Sequence, residues 1–150
     1  MGYPVGHFNC KLDAKGRLML PSEFKEQLGE QVEEGFVLRP GLFENDHLEL
    51  FTRQDWDFEQ EKMRVQLSRF NKKHEAALRR YNEGVRFAKL DATGRLQIPK
   101  DLIETGRLEK DIIITSVTTK MEIWDKSLYE KSIATSLTDD EFFSILENIK

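Results

Sequence analysis

The chain has 150 residues, a formal net charge of −4 at pH 7, 39% hydrophobic residues, 33% charged residues and one cysteine. This length suits one compact domain or two small halves that share a core, and a single cysteine excludes an intrachain disulfide. The acidic balance excludes a uniformly basic nucleic-acid binder, so any contact with DNA must come from a local cluster of basic side chains.

The N-terminal part begins with a predicted β-hairpin, with strands at residues 6–12 and 18–20. Between them, Asp13-Ala14-Lys15-Gly16 fits a type I turn. Asp13 can accept a hydrogen bond from the backbone two residues on, and Gly16 can take the positive φ that a bulged hairpin loop requires. The outgoing strand therefore begins with an arginine, Arg17.

The stretch at residues 11–21 occurs a second time at residues 89–99, with eight of eleven positions identical. A match this dense in a chain without low-complexity bias predicts an internal duplication and two similar structural units. The second copy places Asp91 and Gly94 in its turn and Arg95 at the start of its outgoing strand.

A proline ends each copy, at Pro21 and at Pro99. Proline has no N–H to donate to a strand partner and suits the first turn of a helix. A short helix is therefore predicted after each proline, at residues 22–28 in the first copy. Left-handed C-terminal caps are expected at Gly29 and Gly106.

The two halves continue in the same order, each with a brief buried strand and then a strand of alternating polarity. The matched segments are 36–38 with 112–114, and 48–51 with 121–124. The aromatic spacing Phe51-x-x-x-x-Trp56 also recurs as Trp124-x-x-x-x-Tyr129. Both tryptophans are expected in the core or an interface.

Two further segments have helical patterns. Apolar residues recur at three- and four-residue steps through residues 55–81, with a break expected at Asn71. Near the C-terminus, Thr138 and Glu141 form a predicted capping box before an apolar stripe over residues 142–149. That tail either docks on its own core or joins a neighbouring subunit.

These patterns divide the chain into four parts. They are a first half (1–54), a helical insert (55–83), a second half (84–130) and a C-terminal helix (131–150).

The predicted hairpins carry side chains that can bind DNA. A two-stranded β-ribbon fits the major groove, and arginine can bond O6 and N7 of guanine, so Arg17 and Arg95 are the candidate base-reading residues. Lys15 in the first turn, and Lys11 and Lys89 on the entering strands, are candidate phosphate contacts.

Two alternatives stand beside this interpretation. Arg17 can simply pair with Asp13 and hold its turn, as Arg95 can with Asp91. A second basic cluster lies in and after the insert, although such a run is usually a solvated face. Its members are Arg64, Arg69, Lys72, Lys73, Arg79, Arg80 and Arg86.

The sequence gives no indication of catalysis or of metal or cofactor binding. The sequence has no P-loop, dinucleotide fingerprint, zinc-protease motif or nucleophile elbow, so no enzymatic activity is expected. The three histidines are scattered, and His7-x-x-Cys10 is better explained as two strand residues than as a metal site. No cofactor, small-molecule substrate or membrane partner is expected. Without a signal pattern or an apolar span, a cytoplasmic location is expected.

The paired Asp-x-x-Gly-Arg hairpins, each followed by Leu-x-Leu/Ile-Pro and separated by a helical insert, resemble the MraZ family of bacterial transcriptional regulators. The resemblance implies an α+β fold with a duplicated AbrB-like swapped-hairpin β-barrel core and peripheral helices. It also implies DNA binding through Asp-x-x-x-Arg motifs, which map onto Asp13 with Arg17 and Asp91 with Arg95. The aspartates would mainly orient the turns.

The resemblance further implies a ring-like homo-oligomer associated with the nucleoid. The implied target is a set of short G-containing direct repeats upstream of the division and cell-wall gene cluster. One alternative function stays open, an acidic oligomeric protein-interaction module of antitoxin-like type. In that case the apolar residues from Phe142 to Ile149 would be exposed in the isolated protein.

Overall fold

The computed structural model of the chain describes residues 4–43 and 46–150, which form eight strands and seven helices. In chain order the strands are β1 His7–Lys11, β2 Arg17–Met19, β3 Phe36–Pro40, β4 Leu48–Thr52, β5 Arg86–Ala88, β6 Arg95–Gln97, β7 Asp111–Ser116 and β8 Met121–Asp125. The helices are α1 Ser22–Leu28, α2 Gln31–Glu34, α3 Arg53–Gln66, α4 Lys72–Tyr81, α5 Lys100–Thr105, α6 Lys126–Ser136 and α7 Asp139–Glu147. The predicted α+β class is confirmed. None of these helices is long and apolar enough to cross a membrane.

The strands form one six-stranded sheet and one separate ribbon. The sheet has the order β1-β7-β8-β4-β3-β5 with every neighbour antiparallel, and the ribbon pairs β2 with β6. Each half thus places its first strand against the other half, since β1 pairs with β7 and β5 with β3. The predicted barrel is wrong: the sheet is open, with β1 and β5 at its edges, because β2 and β6 leave it and pair with each other.

Two of the four strand pairings between the halves are symmetric about a pair of matched residues. In the ribbon the central pair is Leu18 and Leu96, and in the sheet the central pair of β4 and β8 is Glu49 and Glu122. A symmetric register of this kind is expected when the two halves are related by an approximate twofold axis. The two hairpin turns therefore occupy equivalent places at opposite ends of the ribbon.

The core lies between the large sheet, the ribbon and the short helices that follow each ribbon strand. Leu18 and Leu96 are fully buried on the inner face of the ribbon, and Phe24 of α1 and Leu102 of α5 pack into the same cluster. Truncating a buried leucine of this kind to alanine costs about 2–5 kcal/mol. The ribbon is thus held to the rest of the molecule through its inner face.

Aromatic pairs recur in the two halves as the spacing predicts. Phe51 and Trp56 meet edge-on with ring centroids 5.2 Å apart, and Trp124 and Tyr129 do the same at 5.7 Å. Both tryptophans are buried, which confirms their expected place in the core.

The two predicted left-handed helix caps differ. Gly29 has a positive φ of +55°, but its ψ of −126° lies outside the left-handed helical region. Gly106 has φ −81°, and the expectation there is wrong. A Cβ on Gly106 would lie 2.9 Å from Cγ of Leu48, so this glycine allows close packing against β4. The left-handed residue is the next one, Arg107, with φ +55°.

Two predicted helical signals have the expected local geometry. Asn71 accepts hydrogen bonds from the backbone N–H groups of Lys73 and His74, so it caps α4 and marks the expected break. Thr138 and Glu141 form both hydrogen bonds of the capping box. All residues of α7 are exposed, so the tail does not dock on its own core.

Candidate nucleic-acid interface

The first hairpin turn is held by the side chain of Asp13. Its Oδ1 accepts hydrogen bonds from the backbone N–H groups of Lys15 and Arg17, both at 2.9 Å. The N–H of Gly16 donates to the Asp13 carbonyl at 3.0 Å, and Gly16 has φ +79°. A short acidic side chain, followed by a residue that accepts positive φ, produces this turn locally.

The second turn repeats this geometry. Oδ1 of Asp91 accepts from the backbone N–H groups of Thr93 and Arg95, both at 3.0 Å, and also from the Thr93 hydroxyl at 2.8 Å. Gly94 has φ +83°. The two arginines that follow the turns are therefore presented by matching backbone frameworks.

The same hydrogen bonds keep both aspartates ionised. The backbone N–H of Arg95 is the largest cause lowering the pKa of Asp91, with further contributions from Thr93, and the pKa falls to about 2. The backbone N–H of Arg17 likewise lowers the pKa of Asp13. Each turn thus holds a carboxylate at neutral pH.

Each arginine pairs with the aspartate of its own turn through one nitrogen. Arg17 Nε donates to Asp13 Oδ2 at 2.8 Å, and Arg95 Nε donates to Asp91 Oδ2 at 3.0 Å. Among the described residues, the Nη atoms of both arginines have no hydrogen-bond partner, and the side chains are 27% and 30% exposed. The aspartate therefore orients the guanidinium and leaves its outer donors available.

The ribbon brings both arginines to one face. Leu18 and Leu96 are paired and point inward, so their neighbours Arg17 and Arg95, together with Met19 and Gln97, point outward. Arg17 lies opposite Gln97, and Arg95 lies opposite Met19, so the arginines are diagonal neighbours. Cα atoms in that relation are about 7–8 Å apart.

The candidate phosphate-contacting lysines occupy different environments. Lys15 is exposed at the tip of the first turn. Lys11 forms an exposed ion pair with Asp111, which contributes little to stability and can be exchanged for another anion. The stem of Lys89 lies against Gly35, with its Cγ 3.1 Å from where a Cβ would be.

A glutamine from the other half also supports the first turn. Nε2 of Gln97 donates to the carbonyl of Lys15 at 2.8 Å and to that of Gly16 at 3.2 Å. The matched residue on β2 is Met19, which cannot make these bonds. The only sequence signal for this role is the methionine-to-glutamine difference between the two hairpin copies.

The second basic cluster is partly neutralised within its own surface. Arg64 pairs with Glu61 on α3, and Arg86 pairs with Asp101 of α5. This arrangement is typical of a solvated face rather than of a nucleic-acid groove.

A buried charged network lies at the centre of the large sheet, at the central pair of β4 and β8. His47, Glu49 and Glu122 bring potential metal-ligand atoms within 4.8 Å of one another, the one such group among the described residues. The ammonium of Lys120 contacts both glutamates, and Arg39 Nη1 donates to Glu49 Oε1 at 2.7 Å. Cations of the chain itself thus neutralise these carboxylates.

His47 belongs to the same network. It stacks on Trp124 at 4.3 Å between ring centroids, and its two ring nitrogens face Asp46 at 2.8 Å and Glu122 at 3.2 Å. Burial opposes the charged form, but the hydrogen bonds to Glu122 and Asp46 outweigh it and raise the pKa of His47. The network has a structural role in joining the two halves.

The family model described as "MraZ protein, putative antitoxin-like" matches residues 5–80 and again residues 83–148. The chain belongs to the MraZ family. The two matched stretches of the MraZ model each contain one hairpin with its Asp-x-x-x-Arg motif, so the resemblance found in the sequence is confirmed.

Known MraZ proteins are similar over most of their length. A protein of Flavobacterium psychrophilum named "Transcriptional regulator MraZ" is 47% identical over 135 residues, covering 90% of this chain and 85% of the relative. Relatives with the same name from Christiangramia forsetii and Caldanaerobacter subterraneus are 40% and 33% identical over 145 residues each. These matches cover 97% and 96% of this chain, and 91% and 96% of the respective relative.

Proposed function

We propose that this MraZ protein is a sequence-specific DNA-binding transcriptional regulator that acts in the cytoplasm at the nucleoid. The single observation that carries the proposal is the outward placement of Arg17 and Arg95 on one ribbon face, each oriented by an aspartate through Nε alone. The relatives named as transcriptional regulators support it. We also interpret the exchange of first strands between halves as an AbrB-like swapped-hairpin arrangement.

The proposed mechanism begins with the outer face of the ribbon in the major groove. The Nη atoms of Arg17 and Arg95 then donate to guanine O6 and N7, while the aspartates hold each guanidinium in its orientation. Because each guanidinium is already oriented before DNA binds, less side-chain entropy is lost on binding. Lys15, Lys11 and Lys89 neutralise phosphates and position the ribbon without reading sequence.

Self-assembly is the second part of the proposal. One arginine pair on a chain of net charge −4 binds DNA weakly, whereas several linked copies on repeated sites gain avidity if the spacing matches. We infer a ring-like homo-oligomer that reads G-containing direct repeats upstream of the division and cell-wall gene cluster. The exposed apolar residues of α7 offer a surface for contacts between copies.

The test is the affinity of the Arg17→Ala/Arg95→Ala variant for duplexes with and without G-containing repeats. Each arginine is expected to contribute about 1–3 kcal/mol to binding of the repeat duplex, so the variant binds both duplexes nearly equally. Lys15→Ala serves as the matched comparison, because it lowers affinity for both duplexes alike and reduces the salt dependence. Unchanged sequence preference in the folded double variant, checked by circular dichroism, contradicts the proposal.

A second candidate function is a protein-interaction module of antitoxin-like type. It is favoured by one observation: every apolar residue of α7 is classed as exposed in the single chain, with 45–57% of its surface accessible. The same binding measurement separates the two candidates. If the protein is an interaction module without a DNA target, the parent protein shows no preference for the repeat duplex. Removal of the two arginines then causes no loss of DNA affinity.

A further inference from the structure

The two turns differ in charge at one position. The first turn carries Lys15, and the matched position in the second turn is Thr93. Both residues are exposed at the tips of their turns. If each hairpin contacts the DNA backbone in the same way, the second turn lacks the cation that the first one has.

Each turn packs against the helix that follows the other ribbon strand. A Cβ on Gly16 would lie 2.9 Å from Cδ1 of Ile103 in α5. A Cβ on Gly94 would lie 2.6 Å from Nζ of Lys25 in α1. Ile103 and Lys25 are matched positions, each four residues after the proline that ends its hairpin copy. The helix thus brings an isoleucine to the turn that has a lysine, and a lysine to the turn that has none.

The ammonium of Lys25 is available for an anion. The side chain is half-buried in a cleft whose charged and polar lining also includes Glu33, Lys89, Asp91 and Thr93. Within the described part of the chain, neither of these carboxylates forms an ion pair with Lys25. Lys11, by contrast, is paired with Asp111. Lys25 Nζ thus lies beside Gly94, the residue that directly precedes Arg95, the candidate base-reading residue of the second hairpin.

We propose that Lys25 is a DNA-phosphate contact at the turn of the second hairpin, supplied by the other half of the chain at the place where Lys15 serves the first turn. This inference rests on the proposed DNA-binding function and adds a residue to that site. A lysine that neutralises a phosphate releases a condensed counterion, so each such contact makes the negative slope of log affinity against log salt concentration steeper by about 0.9.

The experiment measures that slope for the full-length protein on a repeat duplex and on an unrelated duplex of equal length. Lys25→Ala is expected to make this negative slope shallower by about 0.9 on both duplexes. Adding Thr93→Lys in the same variant restores the slope, because it places a lysine where the first turn has Lys15. Lys131→Ala on α6 is the matched control for loss of one exposed positive charge and leaves the slope unchanged.

The outcomes separate this inference from the function on which it rests. If Lys25→Ala keeps the salt dependence of the parent protein, with or without a change in affinity, the lysine only supports the turn. That result overturns the inference. The proposed function is nevertheless supported if the Arg17→Ala/Arg95→Ala variant loses its preference for the repeat duplex. Failure of the parent protein to bind either duplex overturns both.

Discussion

At the scale of single residues, one aspartate organises each turn. Asp91 accepts two backbone N–H groups and a hydroxyl on Oδ1 and orients Arg95 through Oδ2. Its charge is stabilised in the folded chain and not in the unfolded chain, which is why its pKa falls to about 2. The residue that holds the backbone of the turn is thus also the residue that aims the arginine.

This arrangement predicts a pH-dependent contribution to stability. Because the folded pKa of Asp91 lies below the unfolded value of about 3.9, its charge stabilises the fold above about pH 4. The contribution is lost as the pH falls from there toward 2. Urea unfolding of the parent and of Asp91→Asn is expected to show a difference at pH 7 that shrinks toward pH 2. A difference that stays constant over this range contradicts the prediction.

At the scale of elements, the turns and the short helices are fitted to each other across the two halves. The φ values of Gly16 and Gly94 are nearly equal, but their surroundings differ. A Cβ on Gly16 meets Ile103 at 2.9 Å and the backbone oxygen of Ile98 at 3.3 Å. A Cβ on Gly94 comes closest to the far end of the flexible side chain of Lys25.

Alanine at these two glycines is therefore expected to have unequal effects. Gly94→Ala should cost about 1–2 kcal/mol of unfolding free energy from the left-handed backbone alone, since Lys25 can move aside. Gly16→Ala should cost at least about 1 kcal/mol more, because Ile103 and a backbone oxygen cannot both give way. Denaturant unfolding of the two variants measures this order, and an equal or reversed order refutes it.

At the scale of the whole molecule, the halves cannot be separated without dismantling the sheet. β1 and β5 each complete the sheet against strands of the opposite half, and β4 pairs with β8 through Glu49 and Glu122. Two carboxylates meeting at a buried pairing would repel each other. Arg39 and Lys120 supply the opposing charges, and a ring nitrogen of His47 faces Glu122, so this network favours the joined arrangement.

The tail makes a testable contribution at the same scale. Phe143→Glu with Leu146→Glu on α7 should give a smaller assembly in sedimentation velocity, because charges on an apolar contact surface oppose association. Ser144→Glu is the matched control on the same exposed helix and should leave the assembly as it is. Far-UV circular dichroism should be unchanged in both. An assembly of parent size in the double variant contradicts a role for this face.

Much of the fold could be predicted from short-range patterns. The turn at Asp13, the break at Asn71 and the capping box at Thr138 each depend on hydrogen bonds between residues at most four positions apart, so their sequence signals are local. The candidate arginines belong to the same kind of local motif, which the duplication repeats.

Tertiary structure decided what depends on distant residues. The choice between a barrel and an open sheet depends on the pairing of β2 with β6. The close packing of Gly106 against Leu48 likewise joins residues far apart in the sequence. The support of Gln97 for the first turn and the approach of Lys25 to the second join residues about eighty and seventy positions apart in the sequence. The sequence by itself determined the two turns and their arginines, because neighbouring residues build them. Which side chains surround those turns was determined only when long-range packing brought the halves together.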